Sequence, residues 1–391
     1  MMRGSLGWIA ASVATMALLL VACGTDKGNG QTSPANPDLT VRMNQIQVIG
    51  THNSYHVAPA PSLFAAEKKA VAAFGDAAKG LGDIDSLAYT HAPLTEQLDR
   101  GVRSFELDVW ADPDGGLFSE PLAPKLLTVP DAPKPVAMDK PGFKVFHIVD
   151  IDYISTCEPF ISCLQTLKAW SDAHRDHVPI SIDIELKDDP LPKPLDYTKV
   201  VKIGAAQLDA LDAEIRSVFQ PEQLVTPDDV RGSAATLREA VTSTGWPTLE
   251  KSRGRFLFYM DNEDSHRDVY LEGHPSLKGR VLFTSSGQGH DDAAVIKVND
   301  PGDGSRIAAL VRAGYIIRTR ADADLAEAKA NDPAHRTTAL ASGAQIVSTD
   351  FPPGEPEASN GYVVTFATPA QARCNPVATA NGCTDKALEA P

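Results

Sequence analysis

Short runs of β-branched and aromatic residues recur from residue 45 to residue 350, most of them separated by segments with helical spacing of apolar positions. Eight such runs predict strands: QIQVIG at 45–50, VRSFELDV at 102–109, FKVFHI at 143–148, PISIDIE at 179–185, RFLFYM at 255–260, RVLFT at 280–284, YIIRT at 315–319 and QIVST at 345–349. Several are nearly continuous in apolar residues, as strands of a parallel sheet covered on both faces should be. Phe160, Leu164, Leu167 and Trp170 recur at spacings of three and four and predict a helix over 158–175. Val200, Ile203, Leu208, Leu211, Ile215 and Phe219 predict another over 197–219. A third is expected at 304–313, and one or two more at 322–343 around Pro333. After the fifth strand, Gly273, Pro275 and Gly279 spoil a regular helix. Eight strands alternating with helices predict an α/β fold of the (β/α)8 TIM-barrel kind, with irregularities; a doubly wound open sheet is the alternative.

The polar residues favour the barrel, because they gather where a barrel carries its chemistry, at the C-terminal ends of strands. The first strand ends in His52-Asn53 and the second contains Glu106 and Asp108. The third carries His147, and the fourth Asp183, Glu185 and Lys187. Residues i and i+2 of a strand share a face, so Glu106 and Asp108 project together, as do Asp183, Glu185 and Lys187. Carboxylates converging inside a barrel repel one another and lose hydration. A hard divalent cation relieves both problems, and Ca2+ accepts carboxylate and amide oxygens. Asn53, Glu106, Asp108 and Glu185 would supply four such ligands. Buried salt bridges, with Arg103 and Lys187 as partners, are the plainer alternative.

Thr51-His52-Asn53-Ser54-Tyr55, then Phe105-Glu106-Leu107-Asp108, then His147, then Pro179-Ile180-Ser181-Ile182-Asp183-Ile184-Glu185 resemble the X region of the phosphoinositide-specific phospholipases C, and most closely their calcium-dependent bacterial members. The specific motifs cover about residues 45–187; beyond them only the order of elements agrees. The resemblance implies His52 and His147 as the catalytic histidines, and Asn53, Glu106, Asp108 and Glu185 as ligands of Ca2+. It implies cleavage of phosphatidylinositol by attack of the inositol 2-hydroxyl, giving diacylglycerol and a cyclic inositol phosphate. Glu106 is then a further candidate base. Lys187, Arg318 and Asp350 are candidate substrate contacts, with Arg320 a weaker one, while His56, His91 and His290 read as incidental loop residues. The stretches 57–91 and 112–142 are long insertions, rich in Pro, Gly and Ala, at the place of substrate-selecting loops. Two other readings stay open: a glycerophosphodiester phosphodiesterase, and a non-catalytic lipoprotein that binds lipid head groups or polyols.

Composition narrows the setting. A formal charge of −15 over 391 residues argues against a nucleic-acid partner and against electrostatic adsorption to an anionic membrane. Arg3 precedes a mostly apolar run from Trp8 to Ala22, too short to span a membrane, which reads as a signal peptide over 1–22. Leu20-Val21-Ala22-Cys23-Gly24 resembles a bacterial lipoprotein box and implies lipidation of Cys23, with ordinary secretion as the alternative. Residues 23–42 would form the tether, 43–355 the barrel and 356–391 a C-terminal extension. Cys157, Cys163, Cys374 and Cys383 allow three connectivities, of which two local loops are expected in an oxidising compartment. Phospholipid is the expected partner, and no protein partner is predicted.

Overall fold

The computed structural model describes residues 37–75, 82–191, 193 and 198–389. The expected signal peptide and the Cys23 anchor lie outside them. Among the described residues ten strands form: β1 Ile46–Thr51, β2 Ser104–Trp110, β3 Lys144–Val145, β4 Ile180–Lys187, β5 Phe256–Met260, β6 Phe283–Thr284, β7 Val295–Lys297, β8 Ile316–Arg320, β9 Ile346–Thr349 and β10 Ala372–Cys374. Eight of them run parallel in the order β6-β5-β4-β2-β1-β9-β8-β7, and one parallel bridge, Ser285 to Val295, joins the two ends. The result is an irregular (β/α)8 TIM barrel. Its strands are buried along almost their whole length, which is why their sequences read as unbroken apolar runs rather than alternating ones.

One strand expectation needs correction. FKVFHI is not a barrel strand: Lys144 and Val145 pair antiparallel with Trp110 and Val109 at the far end of β2, and Ile148 pairs with Asp152 in a tight turn. The barrel place expected for it falls to β7, whose three residues are shorter than the pattern a sequence reading can detect. The helices fall where their spacing put them, at Phe160–Ala173, Ala205–Val218 and Ser305–Arg312, with Ala326–Ala330 and Ala334–Ala341 on either side of Pro333. The first insertion holds an unforeseen helix, Pro61–Phe74, with proline in its first turn.

The main apolar core fills the space between barrel and helices. A smaller second core, which includes Leu63, Trp110, Phe118, Val129, Phe146 and Tyr153, is built by the two insertions above the end of β2. Close approach of β1 and β2 depends on Gly50, where a Cβ would stand 2.7 Å from Ser104 Cβ. The C-terminal segment returns to the barrel: β10 pairs antiparallel with the start of β1, and Glu389 meets the buried Arg103 guanidinium, 3.1 Å from its Nε. Arg103 thus belongs to the closed end of the barrel and not to the carboxylate cluster. Both local disulfides form, Cys157–Cys163 and Cys374–Cys383. Among the described residues, no helix is long and apolar enough to cross a membrane.

Candidate active site

Barrel closure brings the first and last strands side by side. β1 pairs with β9 through Thr51 and Thr349, so the residues that follow, His52 and Asp350, face each other across the seam. His52 Nδ1 lies 2.7 Å from Asp350 Oδ1, and Asp350 Oδ2 accepts from Arg320 Nη2 at 3.2 Å. Arg320 Nη1 is 3.3 Å from His52 Nε2. A guanidinium can only donate, so the arrangement sets the tautomer: Nδ1 carries the hydrogen toward Asp350 and Nε2 presents a lone pair. Burial raises the Asp350 pKa, but the contacts with His52 and Arg320 outweigh it and hold the carboxylate ionised. Below this pair, His91 bridges the His52 carbonyl oxygen, at 3.0 Å, and Glu355, at 2.7 Å.

A second imidazole is fixed by a loop. Trp110 stacks on Phe146, with ring centroids 5.3 Å apart, and its Nε1 donates to the Phe146 carbonyl oxygen at 2.9 Å. Ile148 and Asp152 then exchange backbone hydrogen bonds of 2.9 Å around Asp150, whose φ is +67°. This tight turn folds Asp152 back onto His147, whose Nδ1 donates to Asp152 Oδ2 at 2.9 Å. The same oxygen lies 2.7 Å from His56 Nε2, and His56 Nδ1 lies 3.0 Å from the Tyr89 carbonyl oxygen. Both His56 nitrogens therefore face acceptors and satisfy them only as N–H donors. Burial raises the Asp152 pKa, yet the two histidines more than offset it and bring it down to about 2. The His147 pKa is lowered, chiefly by burial and against the pull of Asp152.

Between these imidazoles lie the carboxylates. The β2–β4 register sets Glu106 opposite Asp183 and Asp108 opposite Glu185, with all four side chains on one face. Oxygens of Glu106, Asp108 and Glu185 come within 4.8 Å of one another, and so do those of Glu106, Asp183 and Asp261. Asp108 is fully buried; Lys187 Nζ stands 3.2 Å away, but neither carboxylate oxygen has a well-formed hydrogen bond. Burial, with Glu185 and Glu106 nearby, pushes its pKa well up despite Lys187.

A family model described as Ca2+-dependent phosphoinositide phospholipase C matches residues 41–376. The chain belongs to that family. The calcium-dependent phosphoinositol-specific phospholipase C of the Gram-negative bacterium Pseudomonas sp., in an apo crystal form, has a similar structure at TM-score 0.50 and 18% identity, over 88% of this chain and 100% of that one. The myoinositol complex of the Pseudomonas enzyme gives TM-score 0.51 and 18% identity, over 87% and 97% of the two chains. At this identity the likeness shows a shared fold. No curated protein sequence matches the chain.

The phospholipase family is calcium-dependent, and the carboxylates fit a calcium ion. A buried carboxylate with no hydrogen-bond partner, beside two others at ligand-sharing distance, is a donor set short of a cation. Lys187 supplies a positive charge there, 2.9 Å from Glu185 and 3.2 Å from Asp108. Asn53 is buried at the end of β1 with φ +45°; Tyr55 Oη is 3.5 Å from its amide oxygen and stands in the field of Asp108 and Glu185.

Three expectations are corrected by this geometry. Arg318 is no free phosphate clamp: it is buried, its guanidinium pairs with Glu106 and Asn299, and its Nε is 3.7 Å from Asp183. Desolvated carboxylates inside the barrel demand that counter-charge. Asp350 is buried on His52 and Arg320 and so is not directed at substrate hydroxyls. His56 and His91 are not isolated loop residues, since His56 meets the Asp152 carboxylate behind His147 and His91 meets the His52 carbonyl oxygen. Asp152, Arg320 and Glu355 complete these contacts. Asp152 gave no sequence signal, because only the turn and the insertion bring it to His147.

Proposed function

We propose that this phospholipase C cleaves phosphatidylinositol to diacylglycerol and a cyclic inositol phosphate. The observation that carries the reading is a pair of imidazoles, each oriented through Nδ1 by its own carboxylate, flanking a buried cluster of calcium-type ligands. The phosphodiester would sit with its phosphorus between Nε2 of His52 and Nε2 of His147. His52 Nε2, a lone-pair acceptor, takes the proton as the inositol 2-hydroxyl oxygen bonds to phosphorus. The protonated form of His147 gives a proton from Nε2 to the glycerol oxygen as the P–O bond to diacylglycerol breaks. Asp350 and Asp152 hold the tautomers and stabilise each imidazolium, as carboxylates behind catalytic histidines do. Arg320 donates toward the phosphoryl oxygens as charge builds on them.

Asn53, Glu106, Asp108 and Glu185 would hold Ca2+; when bound, the ion lowers the pKa of the 2-hydroxyl and offsets phosphoryl charge. Glu106, paired with Arg318, serves as ligand in this reading and leaves the base role to His52. Lys187 neutralises Asp108 and Glu185 when the ion is away. The myoinositol complex of the Pseudomonas relative supports an inositol head group. We further propose export and anchoring through Cys23; the two disulfides agree with an oxidising compartment.

Product analysis tests the reaction. Phosphatidylinositol should yield diacylglycerol and a 1,2-cyclic phosphate. Release of glycerol phosphate from glycerophosphodiesters, without a cyclic product, would assign the site to the glycerophosphodiesterase reading instead.

A further inference from the structure

The second core carries an open cavity of about 270 Å³ between the Pro61–Phe74 helix, the turn at 123–127 and the loop that joins His147 to Asp152. Its walls are apolar, with Val71, Leu191 and Ile151 among the lining residues, and the half-exposed Phe74 and Leu126 stand at its edge. One polar group interrupts them. Glu67 is 3% exposed, and neither of its carboxylate oxygens has a hydrogen-bond partner.

A buried carboxyl without a partner is costly unless something supplies one. Burial, helped by the nearby Asp152 charge, lifts the Glu67 pKa to about 8, so at neutral pH the group is mainly a neutral acid that can donate one hydrogen bond. An occupant that suits both features has an apolar chain and an acceptor oxygen at one end. The cavity is at the small end for a ligand pocket, so it holds part of a molecule rather than a whole lipid. Asp150 and Ile151 also belong to the loop that positions His147 and Asp152, so the cavity and the proposed reaction centre share that loop.

We infer that this cavity is an acyl-chain site: it takes one fatty acyl chain of the lipid whose head group is being cleaved, with the ester oxygen accepting from the Glu67 carboxyl. The inference rests on the phospholipase reading above and extends it from head group to tail.

The test compares dioctanoyl phosphatidylinositol, kept below its aggregation concentration, with chainless glycerophosphoinositol, for the parent protein and for Val71→Trp. The larger indole side chain would fill the cavity, which is lined by neither His52 nor His147 and by none of the four calcium-type ligands. We expect kcat/KM for the dioctanoyl substrate to fall roughly tenfold or more, the effect of excluding two or three methylenes from apolar surroundings, while chainless turnover is unchanged. Equal chain-length dependence in both proteins overturns the inference. A second arm needs neither the variant nor catalysis. A diacylglycerol with a diazirine on its acyl tail should label peptides containing Val71 or Leu126 in the parent protein, and labelling confined to other regions overturns the proposal. If neither phosphodiester is cleaved but the tail still labels those peptides, the phospholipase reading fails while the chain site stands.

Discussion

Asp350 Oδ1 lies 2.7 Å from Nδ1 of His52, and the contact exists because the last barrel strand closes against the first. It fixes which imidazole nitrogen faces the reaction. Asp350→Asn presents an amide that can flip its NH2 toward Nδ1 and stabilise the wrong tautomer. Its kcat should fall by about two to four orders of magnitude with little change in the fold, and His52→Ala should fall at least as far. Steady-state kinetics with circular dichroism checks this; an Asp350→Asn enzyme within threefold of the parent would sink the orientation role.

His56 acts on the reaction only through Asp152. His56→Phe keeps the stack on Tyr89, whose ring centroid is 4.3 Å away, but removes the contact that holds the carboxylate toward His147. We expect a loss of roughly 10- to 100-fold in kcat, the usual size for a partner behind a functional histidine. The alkaline limb of the rate profile should also move to lower pH, because the Asp152 carboxylate, whose hydrogen bond and charge raise the His147 pKa, is no longer held against it. A packing role alone would lower thermal stability and leave that limb in place.

Asp108 should separate metal binding from folding. Its carboxylate is buried, crowded by Glu106 and Glu185, and poorly hydrogen-bonded. Asp108→Asn relieves that repulsion, so in chelator its melting temperature should be no lower than the parent's. In the parent, Ca2+ should raise the melting temperature as a ligand of the native state. The variant should lose most of that rise, with calcium affinity by calorimetry down at least tenfold. An undiminished calorimetric affinity would remove Asp108 from the ligand set.

Acid sensitivity has an identifiable source at the other end of the barrel. His177 is buried, its nitrogens 2.7 Å from Ser171 Oγ and 2.6 Å from the Val178 carbonyl oxygen. Burial lowers its pKa from 6.5 to about 4, against the Val178 hydrogen bond, which raises it. Above pH 6.5 both folded and unfolded forms are neutral there, and no stability depends on it. As pH falls from 6.5 toward 4 the unfolded chain gains a proton that the folded one refuses, so stability falls by about 2–3 kcal/mol at pH 4.5. Urea denaturation at pH 7 and pH 4.5 should show a smaller acid loss in His177→Gln by about that amount. An identical loss in both proteins would clear His177.

Much of the barrel was legible because strands buried on both faces read as apolar runs, and because strand-mates Glu106 and Asp108, or Asp183 and Glu185, share a face by simple alternation. Where the reading failed, length or closure was the reason. β7 has three residues, and FKVFHI is as apolar as a strand although only two of its residues join the sheet. Asp350 was found, but its partner is set by the β1–β9 seam, which local sequence does not display. The roles of His56, Asp152 and Arg318 depend on which charges meet after the barrel closes, so nothing near them in sequence announces them.

Phosphorus NMR of phosphatidylinositol hydrolysis, run with Ca2+ and again with excess chelator, reads the cyclising step and its metal dependence together. A five-membered cyclic phosphate resonance should grow first in the presence of Ca2+, and chelator should abolish its formation. Hydrolysis at an undiminished rate in chelator, or an acyclic phosphate monoester appearing with no cyclic precursor, would contradict the proposed reaction.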